Sequence, residues 1–497
     1  MKIDSLEKAR EVLSRVPGVV VGVGVTAWTR SGVAGLVSRY EVICFKESQE
    51  LDQLRREFPV KIGRGVKMNT SSILSDKEIQ KYLKSLPRKA APRGEPEPKW
   101  LFVYKSSRPT EKIAADLGMK LIGNRAEIRD PYEDKKQFRI LGKEAGLRLV
   151  EGETMRINEL TNRKLGVVLQ LTDYSRGGGV GTFFIKTPDN WREFDEFVRR
   201  RGQKRKLEWV NVTRLVEGLA ASINGCVTKH GILTGVLQGQ IVDQPELTAL
   251  SGRSGVWLGH DWSSMRFSDK AQRNAESLVR TLGKHMAKRG YKGIFGMDVV
   301  VEQQDKVWPI ECNSRYTGAF PTYTWVSIKN GEIPLDVWHL LEFMEVDYDM
   351  DFDKVQEMSR QPKEGAQILM HNLEADPSSR RASARRGSSV RVKGVVKAGI
   401  YRWQMIGDRC RIEYTREGWN LLHLKNKDEF ILTDGVPRQG QALKPAERLG
   451  RLLFNRAIVD ATGRLLPEIQ EVVKKLYREF GLKKISKKER LDTNHNL

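Results

Sequence analysis

A chain of 497 residues is too long for one ordinary hydrophobic core, so roughly two to four domains are expected. Its 39% hydrophobic and 30% charged residues suit a soluble globular protein, and its most apolar early stretch, VPGVVVGVGVTAW (16–28), is too short and glycine-rich to span a bilayer. The net charge of +23 attracts polyanions in general, but the clusters RRRGQKRK (199–206), SRRASARR (379–386) and KKISKKER (483–490) lack the interleaved aromatics that stack single strands, so a solvated basic surface is favoured over a nucleic-acid site.

The cysteines Cys44, Cys226, Cys312 and Cys410 lie far apart and form no CxxC pair. That argues against a disulfide framework or structural zinc and for a reducing compartment. The start, MKIDSLEKAREVLSR, has acidic residues at helical spacing rather than a signal-peptide pattern, so a cytoplasmic protein is expected.

To about residue 87 the chain reads as a helix followed by VVVGVG, a buried strand ending in glycines. Gly22, Gly24 and Ala27 spell GxGxxA, but a weak helix opener follows. A tight strand-to-helix turn in an open α/β domain is therefore preferred over a dinucleotide site. YEVICF (40–45) is a second strand, RKAAPRGEPEP (88–98) an exposed linker, and KWLFVYKSS and KLIGN are further strands. From Asp130, DPYEDKKQFRILGKEAGLRLVEGE predicts one charged helix ending near Gly146. LGVVLQLTDYSRGGGVGTFFIK (165–186) predicts a hairpin, and EWVNVTRLVEGLAASINGCVTKHGILTGVLQGQ a series of short strands. A helix over 269–289 places Ala271, Ala275, Leu278, Val279, Leu282 and Met286 on one face and closes at Gly290. IFGMDVVVEQ and KVWPIECNSR are two strands joined by QQDK. Beyond about 350 come strand-like pieces (SVRVKGVVKAGIYRW, FILTDGVP), a mobile loop at 375–389, and two helices, RLGRLLFNRAIVDA and LPEIQEVVKKLYREFGL.

In IECNSR (310–315), Glu311, Asn313 and Arg315 share one strand face, while Cys312 and Ser314 point the other way. Asp298, in the preceding strand, projects beside Glu311 across the pair. Two carboxylates and an amide oxygen form a hard oxygen site suited to Mg²⁺, and Arg315 adds a donor for phosphate or a carboxylate. A solvated strand face with an ion pair is the plainer alternative, and the apolar flanks weigh against it. In SRGGGVGT (175–182), adjacent glycines allow backbone N–H groups to approach an anion, with Ser175 and Arg176 in reach. Lys135 begins a helix and is a candidate phosphate contact, with an ordinary surface lysine the favoured reading when it is taken alone.

The order of these pieces resembles the ATP-grasp superfamily over roughly residues 130–345, through EDKKQFRILGKEAGL, YSRGGGVG, VTRLVEGLAASINGCV and GIFGMDVVVEQQDKVWPIECNSRYTG. The resemblance implies a multidomain α/β and α+β fold. A Rossmann-like preATP-grasp domain would cover 1–128, a two-lobed ATP-grasp domain 129–348, and a mixed α/β domain, loosely similar to that of biotin carboxylase, 349–497. It implies ATP with Mg²⁺ (or Mn²⁺) as cofactors, with metal on Asp298, Glu311 and Asn313. Arg315 and Asn313 would serve the reacting group. Lys135, Gln170, Ser175, Arg176, Gly177, Gly178 and Gly179 would surround the phosphates, and Thr213, Arg214, Leu215, Val216 and Glu217 the adenine and ribose. The chain departs from the pattern twice: Gln170 stands where a phosphate-binding lysine is usual, and Ala220 falls where a ribose-contacting acid is expected.

The implied activity is an ADP-forming ligase joining a small-molecule carboxylate to an amine, with a homodimer as the assembly common in such families. The alternatives are a non-catalytic nucleotide-binding or RNA-associated protein and a biotin carboxylase-like subunit. Tyr316, Thr317, Tyr323, Arg253 and Arg266 are candidate substrate-wall residues.

Overall fold

A computed structural model of the chain describes residues 2–65, 67–86, 97–173, 181–202, 206–248, 255–263, 267–372 and 389–485. Most of the linker at 88–98, the glycine-rich tip at 174–180, and Arg253 and Arg266 lie outside the described residues.

The fully buried run Val19–Gly24 forms the middle of a five-stranded parallel sheet, in the order Val60–Ile62, Tyr40–Cys44, Val19–Gly24, Lys99–Val103, Met119–Ile122. A run apolar on both faces is what a sheet covered on both sides requires. Its glycines serve packing: a Cβ at Gly22 would stand 2.3 Å from the Tyr40 hydroxyl, and one at Gly24 2.5 Å from Thr29 Oγ1. Helices with side-chain caps at Ser5, Asn69, Asp76 and Ser107 cover the sheet.

The single helix expected from Asp130 is instead two, Ala126–Glu133 and Lys135–Glu144. Asp134 has extended backbone and its side chain accepts the Gln137 N–H at 2.8 Å, so it starts a helix rather than continuing one. The predicted hairpin and the strand Trp209–Arg214 then build a small antiparallel sheet, ordered Gly152–Arg156, Trp209–Arg214, Val167–Leu171, Thr182–Ile185. Helix Pro188–Gly202 covers one face through Trp191 and Phe194, against Leu169, Leu171, Ile185 and Val210. The opposite face carries Gln170, Asn211 and Thr213.

Strand Trp209–Arg214 leads directly into Leu219–Thr228 of a much larger sheet. That sheet runs without interruption from Lys306–Asn313 through Gly293–Glu302, Leu219–Thr228, Gln238–Val242, Trp257–Asp261, Ala366–His371, Arg448–Phe454, Glu429–Thr433 and Gly399–Ile406 to Arg409–Arg416. Strands beyond residue 349 thus extend the sheet that begins at the IECN strand. The helix predicted over RLGRLLFNRAIVDA is one of them: residues 448–454 are a strand, paired on both sides, with Leu449 through Phe454 all buried. Six consecutive buried positions do not fit one stripe of a helix, and central pairing overrides helical propensity here. Helices Asp269–Lys288 and Pro467–Phe480 form as predicted, the latter ending at Gly481 with φ of +52°.

Helices Phe320–Lys329 and Leu335–Phe343 fill the space between the parallel sheet and the large sheet. Their Phe320, Tyr323, Trp338 and Leu340 share one core with Trp28, Val42, Trp100 and Phe102. This shared core fixes the carboxyl ends of the parallel strands against the strand that carries Arg315. No helix among the described residues is long and apolar enough to cross a membrane.

Leu452→Ala, in the doubly paired strand, is expected to cost about 2–5 kcal/mol and lower the melting temperature, whereas Ile406→Ala, 56% exposed at a hairpin end, changes it little. Thermal denaturation of the two variants checks the strand assignment.

Candidate functional site

Strands Gly293–Glu302 and Lys306–Asn313 pair antiparallel with Asp298 directly opposite Glu311, and a bulge follows Asp298. Cys312 faces the core behind, and the Ser314 hydroxyl donates to the Arg129 carbonyl at 2.8 Å. Glu311, Asn313 and Arg315 stay half-buried on the other face. Asp298 Oδ1 accepts the Gln240 amide at 2.8 Å, and Oδ2 accepts the Asn313 amide at 2.9 Å. Burial, then the facing Glu311 carboxylate, pushes the Asp298 carboxyl far above the ordinary carboxylate range, high enough to retain a proton at neutral pH.

Arg315 does not pair with that proton-sharing couple directly. Its Nη2 donates to Asn313 Oδ1 at 2.7 Å, its Nε stands 2.7 Å from Glu133 Oε1, and Nη1 donates to the Tyr104 hydroxyl. Burial opposes the Arg315 charge, but Tyr104 and the carboxylates of Glu133, Glu311 and Asp298 outweigh it and raise its pKa. As built, Asn313 presents nitrogen to Asp298 and oxygen to Arg315. Service as a metal ligand requires the amide to turn, and the two orientations are isosteric.

Among the described residues no three His, Cys, Asp or Glu side chains cluster as a metal site. The donor set at the hairpin is two carboxylates with a neighbouring amide, which fits a cation that keeps waters and shares phosphate oxygens. The retained proton marks where a divalent cation would relieve like-charge repulsion.

The small sheet joins the large one beside this hairpin, through the strand that pairs with Gly293–Glu302. Gln170 lies opposite both Asn211 and Thr182 in the pairing. Asn211, buried, accepts from the Thr154 hydroxyl at 2.6 Å and donates to the Lys135 carbonyl at 3.1 Å, tying the start of the Lys135 helix to the sheet. Thr213 pairs with Val168, and the Leu215 N–H donates to the Gly166 carbonyl at 2.8 Å. Val216 and Glu217 fall in the short connection between the two sheets, Glu217 exposed. Arg214 reaches across to Glu302 at 3.2 Å, from the small sheet to the hairpin that carries Asp298 and Glu311. Ser175, Arg176, Gly177, Gly178 and Gly179 lie outside the described residues. A surface cavity of about 490 Å³ near Thr228, Tyr291 and Glu342 sits at the far end of strand Leu219–Thr228 and touches none of these groups.

Two proposed wall residues are corrected. Tyr316 and Tyr323 are 5% and 2% exposed; Tyr316 packs on Phe320 at 4.6 Å, and Tyr323 stacks on Trp262 at 5.8 Å. Sequence reading also missed Gln240, Asn211, Glu133 and Tyr104. Period-two alternation in QGQ and NVT could have flagged the first two as sharing a face with cleft residues, whereas nothing local marks Glu133 or Tyr104.

No protein-family model and no curated protein matches the chain. Solved structures do. The biotin carboxylase domain of 2-oxoglutarate carboxylase from Hydrogenobacter thermophilus, a dimer in complex with MgADP, ADP and bicarbonate, aligns over 95% of this chain and 92% of its own at 12% identity and a TM-score of 0.56. N5-carboxyaminoimidazole synthase from Aspergillus clavatus, with ADP and 5-aminoimidazole ribonucleotide, aligns over 92% and 99% at 12% identity and 0.54. Phosphoribosylamine–glycine ligase from Thermotoga maritima aligns over 94% and 97% at 12% identity and 0.55.

Because the Asp298–Glu311 couple keeps a proton until a cation displaces it, Mg²⁺ binding should release close to one proton at neutral pH. Affinity should then rise with pH until the couple is fully ionised. Calorimetry in buffers of differing ionisation enthalpy measures the release, and Glu311→Gln, which removes the facing charge but not the burial of Asp298, should reduce it.

Proposed function

We propose, taking the ATP-grasp fold of this chain as the premise, that the protein is an ATP- and Mg²⁺-dependent ligase that activates a small carboxylate as an acylphosphate and joins it to an amine. The observation that supports it most is the register placing Asp298 opposite Glu311 on the cleft face, with Arg315 two residues beyond Asn313. Asp298, Glu311 and a turned Asn313 would hold one or two Mg²⁺ (or Mn²⁺) ions, which when bound supply charge neutralisation at the transferring phosphoryl group.

In the reaction a substrate carboxylate oxygen attacks the γ-phosphorus and ADP leaves. The amine nitrogen then attacks the acyl carbon, a proton is lost from nitrogen, and phosphate departs. Arg315, braced by Glu133, Asn313 and Tyr104, holds the reacting carboxylate and its acylphosphate by charge-assisted hydrogen bonds. Lys135 and Gln170, joined through Asn211, face the nucleotide phosphates from the small lobe, and Thr213–Glu217 forms the adenine and ribose side. Ser175, Arg176 and the glycines 177–179 complete this reading as a loop over the phosphates. These residues do this by position and charge, without a covalent enzyme intermediate.

A protein that binds nucleotide without ligating is the second reading, favoured by the uncharged Gln170 where the family lysine would stand. Substrate-dependent ADP release decides between them. Glu311→Ala should lower ADP formation at least ~100-fold with a panel of carboxylates and amines, as loss of a charge-stabilising group does. Unchanged turnover would overturn the ligase assignment. Gln170→Lys should tighten ATP binding by roughly threefold to tenfold, the increment of one charge-assisted contact, read by equilibrium titration.

A further inference from the structure

Arg30 is charged, 3% exposed, and paired with no carboxylate among the described residues. Its Nε donates to the Val23 carbonyl at 2.8 Å and its Nη1 to the Thr29 carbonyl at 2.9 Å, both neutral acceptors. Nη2 makes no hydrogen bond and is not among the buried, sealed-off polar atoms. Neither acid in electrostatic reach forms an ion pair with Arg30, although Asp336 Oδ1 is buried and has no hydrogen-bond partner. Asp434 takes Arg448 at 2.5 Å, Arg451 at 2.9 Å and the Thr26 hydroxyl at 2.6 Å, while Asp336 takes the Thr324 hydroxyl at 2.9 Å. An enclosed guanidinium left without an anion is costly, and a structural role alone would be met as well by a neutral side chain.

The chain is shaped to put it there. Beyond the tighter approaches of Tyr40 and Thr29, Cβ atoms at Gly22 and Gly24 would also stand 3.2 Å from the Arg30 stem, so the GxG of the first parallel strand lies against this side chain. The guanidinium carbon lies 5.5 Å from the Phe102 ring, 5.7 Å from Tyr104 and 5.8 Å from Tyr316. The position is the carboxyl end of Val19–Gly24 and Lys99–Val103, adjacent strands whose connections leave in opposite directions, which is where open α/β sheets form a ligand crevice. Tyr104 is shared with the catalytic side: Arg315 stands 4.8 Å from the same ring and donates to its hydroxyl.

We propose that Arg30 is a second anion-binding residue, and that the substrate activated beside Arg315 carries a further carboxylate or phosphate that Arg30 Nη2 binds. This deepens the ligase reading and rests on it for the identity of the first carboxylate. The anion charge is the shared feature of a dicarboxylate and a phosphate ester, and matched pairs separate the two.

The test is equilibrium binding to the full chain with Mg²⁺ and a non-hydrolysable ATP analogue, at constant ionic strength. The probes are glutarate against butyrate and phosphoglycolate against glycolate. The wild type should bind the dianion of at least one pair roughly tenfold or more tighter than its monoanion, and the pair that responds names the second group. Arg30→Gln should erase the preference while leaving monoanion affinity in place. If that variant does not fold, Arg30→Lys is read instead: it keeps the charge but loses the fork, and should weaken the dianion severalfold with the monoanion unchanged. Equal affinity for dianion and monoanion in both pairs, no dianion binding, or a preference that survives Arg30→Gln overturns the proposal. Glu311→Ala should keep the dianion preference while stopping ADP release, so failure of the ligase reading and failure of this one are told apart.

Discussion

Two carboxylates held face to face by an antiparallel register are the constraint around which the molecule is organised. Strand pairing, not side-chain choice, sets Asp298 opposite Glu311, and the pleat turns both into a half-enclosed cleft where neither can be fully hydrated. Such a couple is stable only with a shared proton or a cation. The surrounding groups respect that requirement: Gln240 and Asn313 donate amide hydrogens to Asp298, and Arg315 is kept one step away by Asn313 and Glu133. A guanidinium placed directly on the pair would neutralise the site it serves.

The other parts of the chain bring distant groups to that face. Asp134 breaks what would be one helix, so the second begins at Lys135 and its first carbonyl can be tied to Asn211. Strand Trp209–Arg214 passes from the small sheet into the large one, and Arg214 grips Glu302 at the same crossing. On the far side, Thr26 donates to Asp434, which also holds Arg448 and Arg451. Arg451 continues through Gln367 to His260 and Ser222, the residue paired with Asp298 from its other side. Burial, then the Arg451 charge, keeps the His260 pKa low, at about 3, so this chain is held by neutral hydrogen bonds rather than by another cation.

The positive charge is also reinterpreted by the fold. Much of the +23 lies on exposed side chains, but Arg30, Arg129 and Arg451 are buried and Arg315 is half-buried. Exposed arginines attract polyanions weakly and are screened by salt; an arginine lodged among aromatic rings recognises one small anion with fixed geometry. Of these interior arginines, only Arg30 pairs with no carboxylate among the described residues.

Period-two alternation in IECNSR, the turn QQDK and the apolar flanks were enough to name Asp298, Glu311, Asn313 and Arg315 as one face, because strand geometry is local and the hairpin partner lies close in sequence. The glycine-ended buried strand was legible for the same reason. RLGRLLF was misread because its leucines satisfy helical spacing, and only its two flanking strands, one some 80 residues upstream in the chain order and one just before it, decide its state. Likewise, no local signal joins Arg30, Tyr104, Glu133 and Arg315, since their proximity depends on where the parallel sheet docks against helices Phe320–Lys329 and Leu335–Phe343. The sequence by itself determined the polar face shared by Asp298, Glu311 and Asn313. Only the tertiary structure decided which arginines surround that face, because a guanidinium's partner is chosen by packing across the core rather than by spacing along the chain.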